Sequence, residues 1–256
     1  MKKLQLITLT LFLSLFVTQA FAWGQLGHYL IGYMAERQMK KSTRKKVEKV
    51  LAPMSLGRSG TWMDEIRSDK AYDYVISWHY LTSPNGEYDA SIQEKTGDAY
   101  EAIQRLKEEL KKGGLSAKEE SEKLKMLIHM VEDIHQPLHV GTGNDRGGND
   151  VKLEYFGQST NLHAVWDSGM IDRQGMSYTE IGNELYRRLS PERISKYREA
   201  TMENWLQEAV SFRPMVYKLP ENGKISYQYG YENYPIAEER MLAASVRLAQ
   251  ILEEIY

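Results

Sequence analysis

Apolar residues recur along most of this chain at three- and four-residue intervals, the period of a helix that buries one face. From Ala237 to Tyr256 the stripe runs through Met241, Ala244, Leu248, Ile251, Leu252 and Ile255, which predicts a long core-facing helix. The same period predicts helices over Leu26 to Met39 and over Thr43 to Leu51, the second with Ser42 as its cap. Thr61 is placed to cap a short helix through Asp69. Thr96 to Lys112 and Ala117 to Gln136 read as two long helices parted by Gly113-Gly114, and Pro137 stops the second. Helices resume near Leu162, Thr179 and Pro191. The stretch "GTGNDRGGNDVKLEYFGQ" follows a different rule, with a Gly/Asn/Asp loop leading into a strand or hairpin around Val151 to Phe156. No repeat, low-complexity linker or shift in composition divides the chain. The pattern predicts one mainly α domain, a multi-helix bundle carrying a small β-hairpin.

The first 22 residues have no such periodicity. Lys2 and Lys3 precede a largely apolar run from Leu4 to Val17, and Ala20-Phe21-Ala22 puts small residues where a signal peptidase reads. This predicts a secretory signal peptide over residues 1–22, cleaved after Ala22. The run is short and lacks a polybasic stop, so a retained anchor helix is the poorer reading. Cleavage leaves a single domain, residues 23–256, with no membrane anchor, a secreted or periplasmic location, and Trp23 as a free N-terminus.

Composition narrows the chemistry. Loss of the two signal lysines takes the formal charge from −2 to −4, so nothing global attracts a polyanion. A nucleic-acid substrate would have to be held by local cations, either side chains or metal. Cysteine is absent from a chain marked for export. Its stability must then come from core size or bound metal rather than disulfides. No Asn-x-Ser/Thr acceptor occurs.

The six histidines matter for their company. In "HMVEDIHQPLH", His129 and Asp133 stand four apart on a predicted helix and so share a face, where both can reach one metal ion. "NLHAVWD" repeats the device with His163 and Asp167. His135, six residues past His129, points about 240° around the helix and reads as a structural, hydrogen-bonded side chain. Pro137 frees His139 to turn in a new direction, "TWMDEIR" supplies Asp64, and "SWHYL" supplies His79. A lone His/Asp pair at this spacing is usually a weak surface ion pair. Two such pairs flanked by further histidines, with no thiolate, instead suit zinc at a catalytic site with open positions.

Taken together, "HMVEDIHQPLHVG", "DRGGNDV" and "NLHAVWD", preceded by "WMDEIR" and "WHY" and begun by "WGQLGH", resemble the zinc-dependent single-strand-specific nucleases of the S1/P1 type. The motifs run from Trp23 to Asp167 in family order; the last third of the chain matches only as generic helices. The resemblance implies an architecture related to zinc-dependent phospholipase C and three bound zinc ions. By resemblance, Trp23 binds one ion through its α-amino nitrogen and carbonyl oxygen, joined by His28, and Asp133 bridges that ion to a second. Asp64, His79 and His129 complete the second site, and His139, His163 and Asp167 hold the third.

Such a cluster suits phosphodiester hydrolysis, because zinc acidifies water and stabilises charge on phosphate. The resemblance implies cleavage of single-stranded RNA and DNA to 5′-phosphorylated products, with 3′-nucleotidase activity alongside. Asp64 would orient the nucleophile or take its proton. Arg67, one turn away, is placed to touch phosphate, against the plainer reading of a solvated helix-face charge. Tyr80 offers a stacking face for a base, and Asn149 a contact to sugar or base. Family members often carry an aspartate where this chain has Thr82, which leaves base preference open. A phospholipase C-like phosphodiesterase is the alternative reading. A zinc-sequestering protein is a third, disfavoured because sequestration needs no open positions. No protein partner is implied.

Overall fold

The computed structural model describes residues 23–256; the expected signal segment lies outside the described residues. Helices α1 (Gln25–Gln38) and α2 (Lys41–Leu51) open the chain, followed by two short ones, α3 (Leu56–Gly60) and α4 (Trp62–Glu65). Two 3-10 segments, Ile66–Ser68 and Lys70–His79, lead to strand β1 (Leu81–Thr82). Then come α5 (Ala99–Lys112), α6 (Ala117–Asp133), a 3-10 turn Pro137–His139, and strands β2 (Val140–Gly141), β3 (Lys152–Tyr155) and β4 (Gln158–Asn161). Helix α7 (Leu162–Ala164) passes into a π-wound turn, Val165–Gly169, and on into α8 (Met170–Asp172). The rest is α9 (Tyr178–Tyr186), α10 (Pro191–Glu199), α11 (Met202–Ser211), α12 (Arg213–Val216), strand β5 (Lys224–Ile225) and α13 (Tyr227–Ile255). This is the mainly α architecture with a small β-hairpin that the periodicity predicts.

Local chemistry explains the boundaries. Ser116 accepts from Glu119 N–H while the Glu119 carboxylate accepts from Ser116 N–H, a capping box that fixes the start of α6. Asp98, not Thr96, caps α5 through the N–H groups of Tyr100 and Glu101. Thr96 is used elsewhere, its carbonyl accepting from the Trp78 indole at 2.8 Å. Ser42 does not cap α2, which begins at Lys41 without a side-chain cap. The helix expected from Thr61 to Asp69 is instead α4 and a 3-10 segment, and Thr61 makes no capping bond. Helix α6 ends at Asp133, three residues before the expected stop. The largest difference is α13, which starts ten residues before Ala237 and runs through Pro235. Proline normally breaks a helical pattern, so the stripe beyond it was read as the start.

The core lies between α1, α6 and α13. Helix α1 packs against α13, α3 and α9, while α6 packs against α5, α13 and α3. Leu30, Ile31 and Met34 of α1, Leu127 and Val131 of α6, and Ala244, Leu248 and Leu252 of α13 are fully buried. Two small sheets rim one end of this bundle. In the first, β1 and β2 pair in parallel, Leu81 with Val140, and so bring His79 and His139 together from 60 residues apart. In the second, the β3–β4 hairpin gains β5 as a parallel partner along β3.

Candidate metal centre

Eight side chains converge at that end of the bundle. His28 comes from the first turns of α1, Asp64 from α4, His79 from the end of a 3-10 segment, and His129 and Asp133 from the buried half of α6. His139 closes the turn after Pro137, and His163 and Asp167 stand on α7 and its π-wound continuation. A π turn at this point is what the site geometry uses, since His163 Nε2 and Asp167 Oδ2 lie 3.1 Å apart. On α6, His129 Nε2 and Asp133 Oδ2 are 2.9 Å apart, as their shared face requires.

Among the described residues, three groups place ligand-type atoms within 4.8 Å of one another: His28/Asp64/His129, His79/His129/Asp133, and His139/His163/Asp167. The third contains the three residues that the resemblance assigns to one ion. The first two overlap at His129, and Asp133 lies between them. One of its oxygens is 3.5 Å from His28 Nε2, while the other faces His129 Nε2 and, at 3.3 Å, His79 Nδ1. A carboxylate turned two ways can serve two ions at once.

Hydrogen bonds fix how the rings face. His129 Nδ1–H donates to Gly60 O at 2.5 Å, His139 Nδ1–H to His79 O at 2.6 Å, and His163 Nδ1–H to Gly147 O at 2.7 Å. A carbonyl can only accept, so in each ring Nδ1 carries a proton and Nε2 is the atom turned inward. Gly147 has φ +61°, and a Cβ there would lie 2.5 Å from Leu138 O, so the "DRGGND" loop can bring its carbonyl to His163 only with glycine.

The inward atoms lack partners of their own. His28 Nε2, Asp64 Oδ1, His79 Nε2, Asp133 Oδ1, His139 Nε2 and Asp167 Oδ2 are buried without a hydrogen bond. Burial, and then neighbouring histidines, hold His28, His79 and His139 well below the usual imidazole range. Burial lifts the carboxyl of Asp133 to about 7 and that of Asp167 to about 6, against the pull of His129 and His163. Burial also lowers His129, but Asp133 and Asp64 outweigh it and raise that imidazole to about 9. Unsatisfied buried nitrogen and carboxylate atoms of this kind are costly unless something cationic lies among them. A set of imidazole and carboxylate donors without thiolate fits zinc.

A cleft of about 370 Å³ opens over the cluster, lined by Arg67, His79, Tyr80, Thr82, His139, Asn149 and His163. Tyr80 keeps 41% of its surface exposed there. Arg67 Nη1 is 3.9 Å from Asp64 Oδ1. The Asn149 amide donates to Arg146 O at 2.9 Å, within the glycine loop. Both main-chain groups of Thr82 are held by Gln93, at 2.9 and 2.7 Å. Trp23 is fully buried beside the cluster: its indole N–H donates to Glu132 O at 3.0 Å, and the N–H of Gly24 donates to Asp167 O at 2.7 Å.

The family model for S1/P1 nuclease matches residues 23–256, the whole of the described chain. The chain belongs to the S1/P1 nuclease family. Its relatives include endonuclease 4 of Arabidopsis thaliana, 27% identical with 96% of this chain and 93% of the relative covered. Nuclease S1 of Aspergillus oryzae is 29% identical over 68% of this chain and 63% of its own length. Nuclease P1 of Penicillium citrinum is 28% identical over 58% of each. As a member of this family the protein is a hydrolase of nucleic-acid phosphodiester bonds, and its fold is the family's mainly helical one. No helix among the described residues is long and apolar enough to cross a membrane.

Two buried residues of this nuclease contact the cluster and were not picked out by sequence reasoning. Gln136 Nε2 donates to Asp167 Oδ1 at 2.7 Å, while its Oε1 accepts from Leu138 N–H at 2.6 Å. Glu132 Oε2 lies 2.5 Å from His28 Nδ1. The only sequence signal for Glu132 was a charge inside the otherwise apolar run "MLIHMVED"; Gln136 gave none.

Proposed function

We propose that the mature protein, beginning at Trp23, is an exported zinc-dependent nuclease that cleaves single-stranded RNA and DNA to 5′-phosphorylated products and releases phosphate from 3′-nucleotides. The carrying observation is the set of buried, unpartnered nitrogen and carboxylate atoms beneath an open cleft with an exposed tyrosine at its wall. Three zinc ions would be held by Trp23, His28 and Asp133, by Asp64, His79, His129 and Asp133, and by His139, His163 and Asp167. Zinc bound there supplies Lewis-acid charge that acidifies water and neutralises phosphate. Asp64, 3.9 Å from Arg67, accepts the proton of the attacking water and keeps it oriented. Arg67 binds the phosphate as a fixed cation at the cleft wall. Tyr80 stacks on a base, a contact worth roughly 1–3 kcal/mol that any base can make, so it favours unpaired strands over duplexes. Asn149 contacts sugar or base.

Zinc content and activity on single-stranded RNA and on phosphatidylcholine, measured on one preparation starting at Trp23, test this reading. About three zinc ions with cleavage of RNA alone is the expected result. One ion or fewer in a fully active sample, or turnover of the phospholipid alone, overturns it. A second preparation keeping Met ahead of Trp23 should lose most activity, because its free amine sits one residue too far out.

A further inference from the structure

Every candidate imidazole ligand whose outward nitrogen has a carbonyl partner receives it from the main chain: Gly60 for His129, His79 for His139, Gly147 for His163. His28 differs. Its outward Nδ1 meets a carboxylate, Glu132 Oε2, at 2.5 Å, and both residues are fully buried. The main chain of Glu132 also takes the indole N–H of Trp23 at 3.0 Å. One residue thus grips both members of the pair that the proposed function assigns to one ion, the side chain holding His28 and the carbonyl holding Trp23. Space for it is reserved, because a Cβ on Gly60 would overlap the Glu132 carboxylate. Its other oxygen, Oε1, has no hydrogen-bond partner, so a buried carboxylate is kept here for a single contact.

We infer that Glu132 is a positioning residue for the His28 metal site: it holds the His28 proton on Nδ1, aims Nε2 into the cluster and, with a cation in the cluster, adds negative charge one hydrogen bond beyond the ring. A carboxylate behind an imidazole ligand makes the imidazole a stronger donor, and loss of such a partner typically weakens metal binding 10–100-fold. A carbonyl polarises less, which explains why the odd partner sits at the site expected to have the fewest anionic ligands: a neutral amine, a carbonyl and one imidazole, with only a shared Asp133. The effect is therefore confined to one ion of the set.

This inference rests on the proposed zinc chemistry, and zinc titration against a chromophoric chelator separates the two. Glu132→Met, which keeps volume but cannot accept, should weaken one ion more than 10-fold and leave the others within about threefold, following the loss seen when such partners are removed. Glu132→Gln should recover part of that affinity, since its amide oxygen accepts the same hydrogen bond. If Glu132→Met does not fold, Glu132→Gln measured against the unaltered protein reads the same loss in smaller amount. The zinc-free melting temperature of Glu132→Gln should match the unaltered protein. Unchanged affinities in all variants, equal weakening of every ion, or a Gln variant no better than Met would each overturn the positioning role. An unaltered protein that binds no zinc would instead overturn the proposed function.

Discussion

Two buried polar clusters meet the chain near the C-terminal end of α6, one around His129 on the helix and one around His135 just past it, and they are built to opposite ends. Around His135 every polar atom is paired. Its Nδ1–H donates to Val131 O at 2.7 Å, and its Nε2 accepts from Arg247 Nη1 at 3.0 Å. Arg247 also grips both Glu208 oxygens at 2.7 Å, and Arg240 bonds Glu208 and His135 O. His129 is oriented the same way, with Nδ1 on a carbonyl, but its Nε2 faces a carboxylate. In one cluster a guanidinium completes the imidazole's hydrogen bonding; in the other that place is left for a metal. The number of buried charges does not separate a structural network from a reactive one. Whether the last lone pair is satisfied by the protein itself does.

Substitution on each side should break different properties. The largest effect is expected from Asp64→Asn, which removes an anionic ligand and proton acceptor while keeping the shape: turnover should fall by roughly 10²–10⁴-fold. His135→Gln should leave turnover close to normal. Steady-state kinetics on a 3′-nucleotide, with unfolding curves for both variants, decides the comparison, and equal losses at equal stability would erase the distinction drawn here.

Next in size is Arg247→Ala, which leaves Glu208 and His135 Nε2 without their shared partner. Breaking a buried ion pair costs about 3–5 kcal/mol. The low end, about 3 kcal/mol, is expected because the Glu208 side chain is 28% exposed. Denaturant midpoints should show the loss, with zinc content unchanged. A variant that keeps its stability but sheds metal would mean that the two clusters are coupled.

The smallest contrast is in acid. Burial brings the carboxyls of Asp133 to about 7 and Asp167 to about 6, so protons compete with metal for them as pH falls through that range. Zinc content and activity should therefore decline together between pH 7 and 5. Burial raises the Glu208 carboxyl, but bonds to Arg247 and charge from Arg240 prevail and bring it from 4.5 to about 2. A depressed carboxyl stabilises fully above its unfolded value and loses that contribution as pH falls toward 2. The Arg–Glu network should thus outlast the metal. Melting curves of the Arg247→Ala variant and the unaltered protein that converge already at pH 5 would show the sign to be wrong.

The sequence by itself determined the helices whose stripes are long and uninterrupted, the ligand pairs four residues apart, and the exclusion of His135. All of these depend only on the 3.6-residue period, which is local geometry. The family motifs belong here too, because the order "WGQLGH", "WMDEIR", "WHY", "HMVEDIHQPLH", "NLHAVWD" is linear information. Local rules misplaced the start of α13, where packing of Tyr229 and Asn233 into the core carries a helix through Pro235. They also misplaced the caps, since α2 begins at Lys41, ahead of Ser42, and Thr61 spends its hydroxyl on Glu65. Only tertiary structure decided which pairs meet. The parallel register of Leu81 with Val140 sets His79 beside His139, and the crossing of α1 over the end of α6 sets His28 against Glu132. Those contacts span 60 and 104 residues, and their closure depends on the whole core being buried at once. No window of sequence contains that constraint, and for that reason Glu132 and Gln136 became visible only when the chain was folded.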